Sequence, residues 1–171
     1  MSRSVSVTLY CYLNKELYLT MNLIEVTHIE DIYKMWDEDS KIDTLTLDEE
    51  SIKTPALHSK YVRILGDERR QLKRMLLTHK ILERDKTEYY QGKMCEDDLT
   101  ERGWIPLDVR ILKSDVPKYV DGDKDVVKHL IQISDQNEKV ELLVSIIKTI
   151  NSRNWDIRNA IEWRKFLGGV N

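Results

Sequence analysis

The clearest pattern along the chain is a run of positions at heptad spacing in its C-terminal third. Val126, Leu130, Ile133, Asn137, Val140, Val144 and Ile147 follow one another in alternating steps of four and three, with Ile131, Leu142, Leu143 and Ile146 beside them. A 3.5-residue repeat keeps one seam of an α-helix facing a partner. The spacing therefore predicts a helix from about Asp125 to Ile150, roughly 40 Å long at ~1.5 Å per residue. Its apolar face is wider than a two-in-seven seam and calls for more than one packing neighbour. Asn137 is the polar member, a residue type that sets register at some cost in stability. The polar run Asn151-Ser152-Arg153-Asn154 predicts a break. Beyond it Trp155, Ile157, Ile161, Trp163 and Phe166 predict a short amphipathic helix, stopped by Gly168-Gly169.

A second helical pattern starts near Thr54-Pro55, where Thr can cap and Pro suits the first turn. Leu57, Tyr61, Leu65, Leu72, Met75, Leu76, His79 and Leu82 recur at helical spacing, and the pattern ends at Tyr89-Tyr90 before Gly92. Between the two helices the chain turns irregular. Gly103, Pro106, Pro117 and Gly122 break helices, while the alternation of Leu107, Val109 and Ile111 predicts one short strand. Near the N-terminus Val5, Val7, Leu9, Cys11 and Leu13 alternate as in a strand, with a second start-like residue, Met21, just beyond. The expected class is mainly α: long helices forming an oligomeric, coiled-coil-like helical assembly, with a short irregular or β segment between them. A single chain of 171 residues has too few other helices to cover all of this apolar surface.

Composition changes this picture little, and the distribution of charge changes it more. The chain carries 27 Lys+Arg against 30 Asp+Glu, a net charge of −3 that by itself points away from a polyanion ligand. Counted by block, residues 21–55 hold 3 bases and 10 acids, residues 56–95 hold 10 and 5, and residues 96–125 hold 5 and 9. A basic helix thus lies between two acidic stretches. At ~100° per residue, Arg69, Lys73, Lys80 and Arg84 share a sector of roughly 60° beside the apolar stripe. They form either a ridge that can track phosphates or a solvated face balanced by Asp67, Glu68, Glu83 and Asp85.

Metal and catalytic readings find little support. Asp121, Asp123 and Asp125 imitate the start of a calcium loop, but Val126 stands where Gly is needed and Gln132 where a bidentate Glu is needed. These acids suit a turn and a helix start. Glu96, Asp97 and Asp98 are adjacent acids without a converging partner, and His58 and His79 lack ligands at metal spacing. No nucleophile-base pair or phosphate loop is present, so no catalytic residue, metal or cofactor is expected. Cys11 and Cys95 suit a reduced compartment. No run approaches the ~20 apolar residues of a membrane span.

The C-terminal third resembles the UvsY recombination mediator proteins of T-even-like phages. The likeness is carried by Asp123-Lys124-Asp125-Val126-Val127-Lys128, the long helix after it, and Ser152-Arg153-Asn154-Trp155 with Ile157, Ile161, Arg164 and Phe166. Glu88-Tyr89-Tyr90-Gln91-Gly92 is similar to the family's acidic-Tyr-Tyr-x-Gly step. The resemblance implies a non-enzymatic, ring-forming homo-oligomer, a heptamer in the family, acting in the host cytoplasm. It implies three further partners: single-stranded DNA, a phage RecA-like recombinase that the protein helps to load, and the phage single-stranded DNA-binding protein covering that DNA. It further implies DNA contacts from a basic-x-basic pair, here Arg84 and Lys86, although Lys86 lies about 200° round the helix from Arg84, toward the apolar face.

On this reading the chain divides into an N-terminal extension, 1–20, dispensable and compatible with a start at Met21; an acidic arm, 21–55; a basic DNA-binding helix, 56–95; an irregular linker, 96–122; and an oligomerisation region, 123–171. Arg69, Lys73, Lys80, Arg84 and Lys86 are the expected DNA contacts. Val126, Leu130, Ile133, Asn137, Val140, Val144, Ile147, Ile157 and Ile161 are the expected subunit contacts. The C-terminal heptads alone point equally well to a coiled-coil scaffold without DNA binding.

Overall fold

A computed structural model describes residues 28–169. The N-terminal alternation at Val5–Leu13 and Met21 lie outside them. The chain divides into two compact units between Lys41 and Ile42. In the first, helix α1 spans Ile29–Asp39, with Glu30 and Asp31 in its first turn, where acids complement the helix dipole. The Ser40 N–H donates to the Trp36 carbonyl and closes its last turn.

The second unit is built on two helices of 44 residues each, α2 (Leu47–Tyr90) and α5 (Lys124–Leu167), each close to 65 Å long at ~1.5 Å per residue. They run antiparallel. Arg153 meets Glu50, Gln136 meets Glu68, and Lys86 meets Asp125, so low numbers on one helix face high numbers on the other. Two short helices, α3 (Glu96–Arg102) and α4 (Val116–Asp121), lie in the connection.

The sequence pattern places these long helices but misjudges their limits. α2 begins eight residues before Pro55, so Asp48, Glu49 and Glu50 form its first turn and Pro55 is interior. Pro55 cannot donate to the Ser51 carbonyl. The turn is secured instead by Arg153 of α5, whose Nη2 donates to Glu50 Oε2 at 2.7 Å, and by the Thr54 hydroxyl, which donates to the Glu50 carbonyl. The expected break at Asn151–Asn154 does not occur, and α5 runs unbroken to Leu167. Arg153 is the reason: it falls on the buried face, and Glu50 neutralises it there.

The glycine after α2 has a defined task. Gly92 adopts φ 66°, its N–H donates to the Tyr89 carbonyl, and the Lys93 N–H donates to the Glu88 carbonyl. These are the two bonds of a Schellman cap, which needs a left-handed residue at this position. The same pair of bonds, with Gly103 at φ 67°, ends α3. At the other end of the connection, Asp123 caps α5, its Oδ1 accepting from the N–H groups of Asp125 and Val126.

Leu107, Val109 and Ile111 form no strand. No described segment pairs with them, and an unpaired strand leaves its N–H and C=O groups without partners. Ile111 packs instead, with Tyr90 and Trp104, on a small core of Leu82, Val116, Val120 and Val126 that closes the connected end of the hairpin.

The hairpin seam is displaced by one residue at alternate layers from the heptad read in the sequence. Val126 and Val140 are buried as expected, and Ile133 and Ile147 are half-buried. The intervening layers are half-buried His129 and buried Gln136 and Leu143, not Leu130, Asn137 and Val144. Leu130 and Asn137 are exposed, and Val144 is half-buried. On α2 the seam includes Leu47, Glu50, Thr54, Tyr61, Leu65, Glu68, His79 and Leu82.

Candidate nucleic-acid interface

Seen from the buried seam of α2, the next sector of the helix carries Arg69, Lys73, Lys80 and Arg84, and all four are exposed. From Arg69 to Arg84 the ridge is about 22 Å long at ~1.5 Å per residue. Apolar Val62 and Leu76 are exposed in the same sector.

The acids that could balance this ridge are occupied elsewhere. Glu68 is buried against Gln136. Asp67 pairs with Arg70, outside the ridge, and Glu83 faces His79 Nε2 at 3.3 Å. Asp85 alone takes a ridge cation, Arg84. Among the described residues no ion pair holds Arg69, Lys73 or Lys80. Of the two readings the sequence leaves open, a neutralised solvated face therefore has little support for those three cations.

Lys86 does not belong to the ridge surface. α2 stays regular to Tyr90, and the rotation of Lys86 brings it inside, 4% exposed. Its ammonium lies 2.9 Å from Asp123 and 2.6 Å from Asp125, with its charge 4.1 Å from the centre of the Trp104 ring. It ties the end of α2 to the start of α5 across an aromatic platform. Burial works to raise the Asp123 carboxyl, but bonds from Lys86, Tyr90 and the Asp125 N–H outweigh it and hold the group below the usual carboxylate range.

Tyr89 and Tyr90 are built into the same cluster. Tyr90 donates to Asp123 at 2.8 Å, and burial followed by that bond pushes its hydroxyl well above the ordinary phenol range. Tyr89 donates to the Ile105 carbonyl at 2.7 Å, and its ring lies 5.3 Å from Trp104. These contacts give both tyrosines a packing role at the end of α2. Trp104 has no assignable role from sequence; in the fold it is the surface on which Lys86, Arg102 and Tyr89 meet. Among the described residues no group of three or more His, Cys, Asp or Glu is placed to hold a metal ion.

The expected subunit contacts are dispersed. Val126, Val140 and Ile157 are buried within the chain, Ile133, Val144, Ile147 and Ile161 are half-buried, and Leu130 and Asn137 face outward. Past the start of α2, the last turns of α5 expose Trp163, Phe166 and Leu167, with the Trp163 and Phe166 rings stacked at 5.7 Å. No helix among the described residues is long and apolar enough to cross a membrane.

Over residues 35–170 the sequence matches the family described as recombination, repair and ssDNA binding protein UvsY. The chain belongs to the UvsY family. Crystal structures of the bacteriophage T4 recombination mediator protein UvsY are similar to it in fold. One crystal form matches with a TM-score of 0.71 at 22% identity, covering 84% of this chain and 99% of that one. A second gives 0.71 at 20% identity, covering 82% and 99%. No curated protein sequence matches the chain. Asp123, within the residues that carry the family likeness, both caps α5 and accepts from Lys86 and Tyr90 of α2.

Proposed function

We propose that this chain is a recombination mediator that binds single-stranded DNA along the α2 ridge. On this reading it acts as a homo-oligomer and helps load a RecA-like recombinase onto DNA covered by single-stranded DNA-binding protein. The observation that carries the DNA-binding part is the outward ridge of Arg69, Lys73 and Lys80, whose neighbouring acids are engaged elsewhere, in a member of the UvsY family. One such helix binds DNA weakly, and several copies in a ring, seven by the family resemblance, raise avidity through effective concentration. Exposed apolar residues of the 123–171 region, Leu130 and the Trp163-Phe166 end of α5 among them, are the surface proposed for subunit contact, with half-buried Ile133, Val144, Ile147 and Ile161 along its edge.

The heptads weigh less for a coiled-coil scaffold than they do in the sequence alone, because Val126 and Val140 are buried within one chain. Titration of a labelled single-stranded oligonucleotide over a range of salt separates the two functions. A mediator of this kind binds, with log affinity falling linearly in log salt, and Lys73→Ala with Lys80→Ala flattens the slope by about 0.7 per lost phosphate contact. Absence of salt-dependent binding would leave the scaffold. Restoration of recombinase filament assembly on protein-covered DNA tests the loading step.

A further inference from the structure

Asp85 is 2% exposed, yet two arginines from different elements reach it. Arg84 of α2 donates from Nε and Nη2 to Oδ1 at 3.0 and 2.7 Å. Arg102, the last residue of α3, donates from Nη1 to Oδ2 at 2.5 Å. The guanidiniums therefore flank one carboxylate, one at each oxygen, and both reach solvent, with side chains 48% and 33% exposed. Arg102 is steadied further by the Trp104 ring, 5.4 Å from its guanidinium. Arg84 is the last cation of the α2 ridge, so Arg102 extends the ridge off the helix.

A planar guanidinium presents paired N–H donors that match the oxygens of a phosphate, and one already oriented by a buried carboxylate loses little freedom on binding. We infer that Arg84 and Arg102, oriented by Asp85, form a two-pronged site for a backbone phosphate of single-stranded DNA. Arg102 is thus a DNA contact supplied by the linker. This rests on the DNA-binding reading above and adds a second element to the interface. Glu96, Asp97 and Asp98 in the first turn of α3, with Glu101, repel phosphate, so the strand leaves the protein at Arg102 and does not follow α3.

The experiment is an anisotropy titration of labelled oligothymidylate with the full chain across a salt series, repeated for Arg102→Gln, Arg102→Lys and the ridge variant Lys73→Ala. Arg102→Gln is expected to weaken low-salt binding several-fold and to lower the salt slope by about 0.7, as Lys73→Ala does. Because Arg102→Gln also unpairs one oxygen of Asp85, Arg102→Lys serves as the second variant. It keeps the charge and a donor for Asp85 but loses the fork, so affinity falls while the slope stays. Far-UV helicity at the assay temperature verifies that each variant is folded. If Lys73→Ala lowers the slope and both Arg102 variants match the unaltered chain, the inference is overturned and the ridge reading stands. If the unaltered chain does not bind, or Lys73→Ala changes nothing, the ridge reading falls and the inference with it.

Discussion

Gln136 of α5 donates from one amide nitrogen to two acceptors on Glu68 of α2, the backbone carbonyl at 3.0 Å and the carboxylate at 2.6 Å. Both residues are buried, and Lys139 Nζ lies 3.9 Å from the same carboxylate. This polar layer fixes the register of the hairpin, the part that the sequence pattern assigns to Asn137. Gln136→Leu leaves the Glu68 carboxylate buried without its amide donor and should cost about 1–3 kcal/mol. Asn137→Leu, at an exposed site, should stay within roughly 0.5 kcal/mol. Urea unfolding of the two variants checks the assignment, and a larger loss for Asn137→Leu would restore the heptad read from sequence.

Pro55 gives a second test, of where α2 begins. At a first-turn position proline is favourable, and Pro55→Ala would be neutral or slightly harmful. In the helix interior the substitution restores an N–H donor to the Ser51 carbonyl and relieves part of a ~3 kcal/mol penalty. Pro55→Ala should therefore raise stability by about 1–2 kcal/mol, read as a higher urea midpoint at unchanged m-value.

These two positions show why the sequence yields the helices but not their limits. The period of apolar residues is a property of the helix itself, and it locates α2 and α5. Their ends depend on residues far apart in sequence: Glu50 accepts from Arg153, so two polar residues occupy seam positions that a count of apolar residues passes over. The same partnership carries α5 through Asn151–Asn154. The rotation of Lys86 toward the apolar face was legible at ~100° per residue, whereas its partners Asp123, Asp125 and Trp104 required the fold. Nothing local links Asp85 to Arg102, and the Leu107–Ile111 alternation misleads because a strand also needs a neighbour.

Lys86 tests the distinction between a structural cation and the DNA contacts proposed on the ridge. Lys86→Ala removes one charge from a buried cluster and leaves the Asp123 carboxylate without its ammonium, at a cost of about 3 kcal/mol. Asp123 has a depressed pKa in the fold, so its contribution is present above the unfolded value, near 3.9, and is lost as pH falls through the folded value. Without Lys86 the folded value rises, so acid unfolding of the variant should begin at higher pH than in the unaltered chain. The salt slope of DNA binding per folded chain should not change, whereas Lys73→Ala should change the slope and leave the acid limb in place.

The last turns of α5 address assembly. Trp163 and Phe166 are exposed and stacked on each other, and Val140 is buried against α2. If the proposed subunit surface is right, Trp163→Asp with Phe166→Asp should reduce the sedimentation coefficient and weaken DNA binding while the monomer keeps its helicity. Val140→Asp should instead unfold the hairpin, because it buries a carboxylate without a partner. A folded double variant that sediments as the unaltered chain would remove these turns from the interface.

His129 supplies a dependence on pH in the neutral range. Its ring stacks on His79 across the hairpin at 5.5 Å, and the Nδ1 atoms of both rings are buried with no hydrogen-bond partner. Burial, and then the neighbouring imidazole, push the His129 pKa below its ordinary value of 6.5. The unfolded chain thus takes up this proton more readily than the folded one, and stability falls as pH drops below about 6.5 until the folded value is passed. His129→Phe, which keeps a ring in the layer and removes the titrating group, should flatten the decline in unfolding free energy just below about pH 6.5. The acid limb due to carboxylates below ~pH 4 should remain. Urea midpoints measured at half-unit pH steps distinguish the two, and an unchanged decline in His129→Phe would place the neutral-range titration elsewhere.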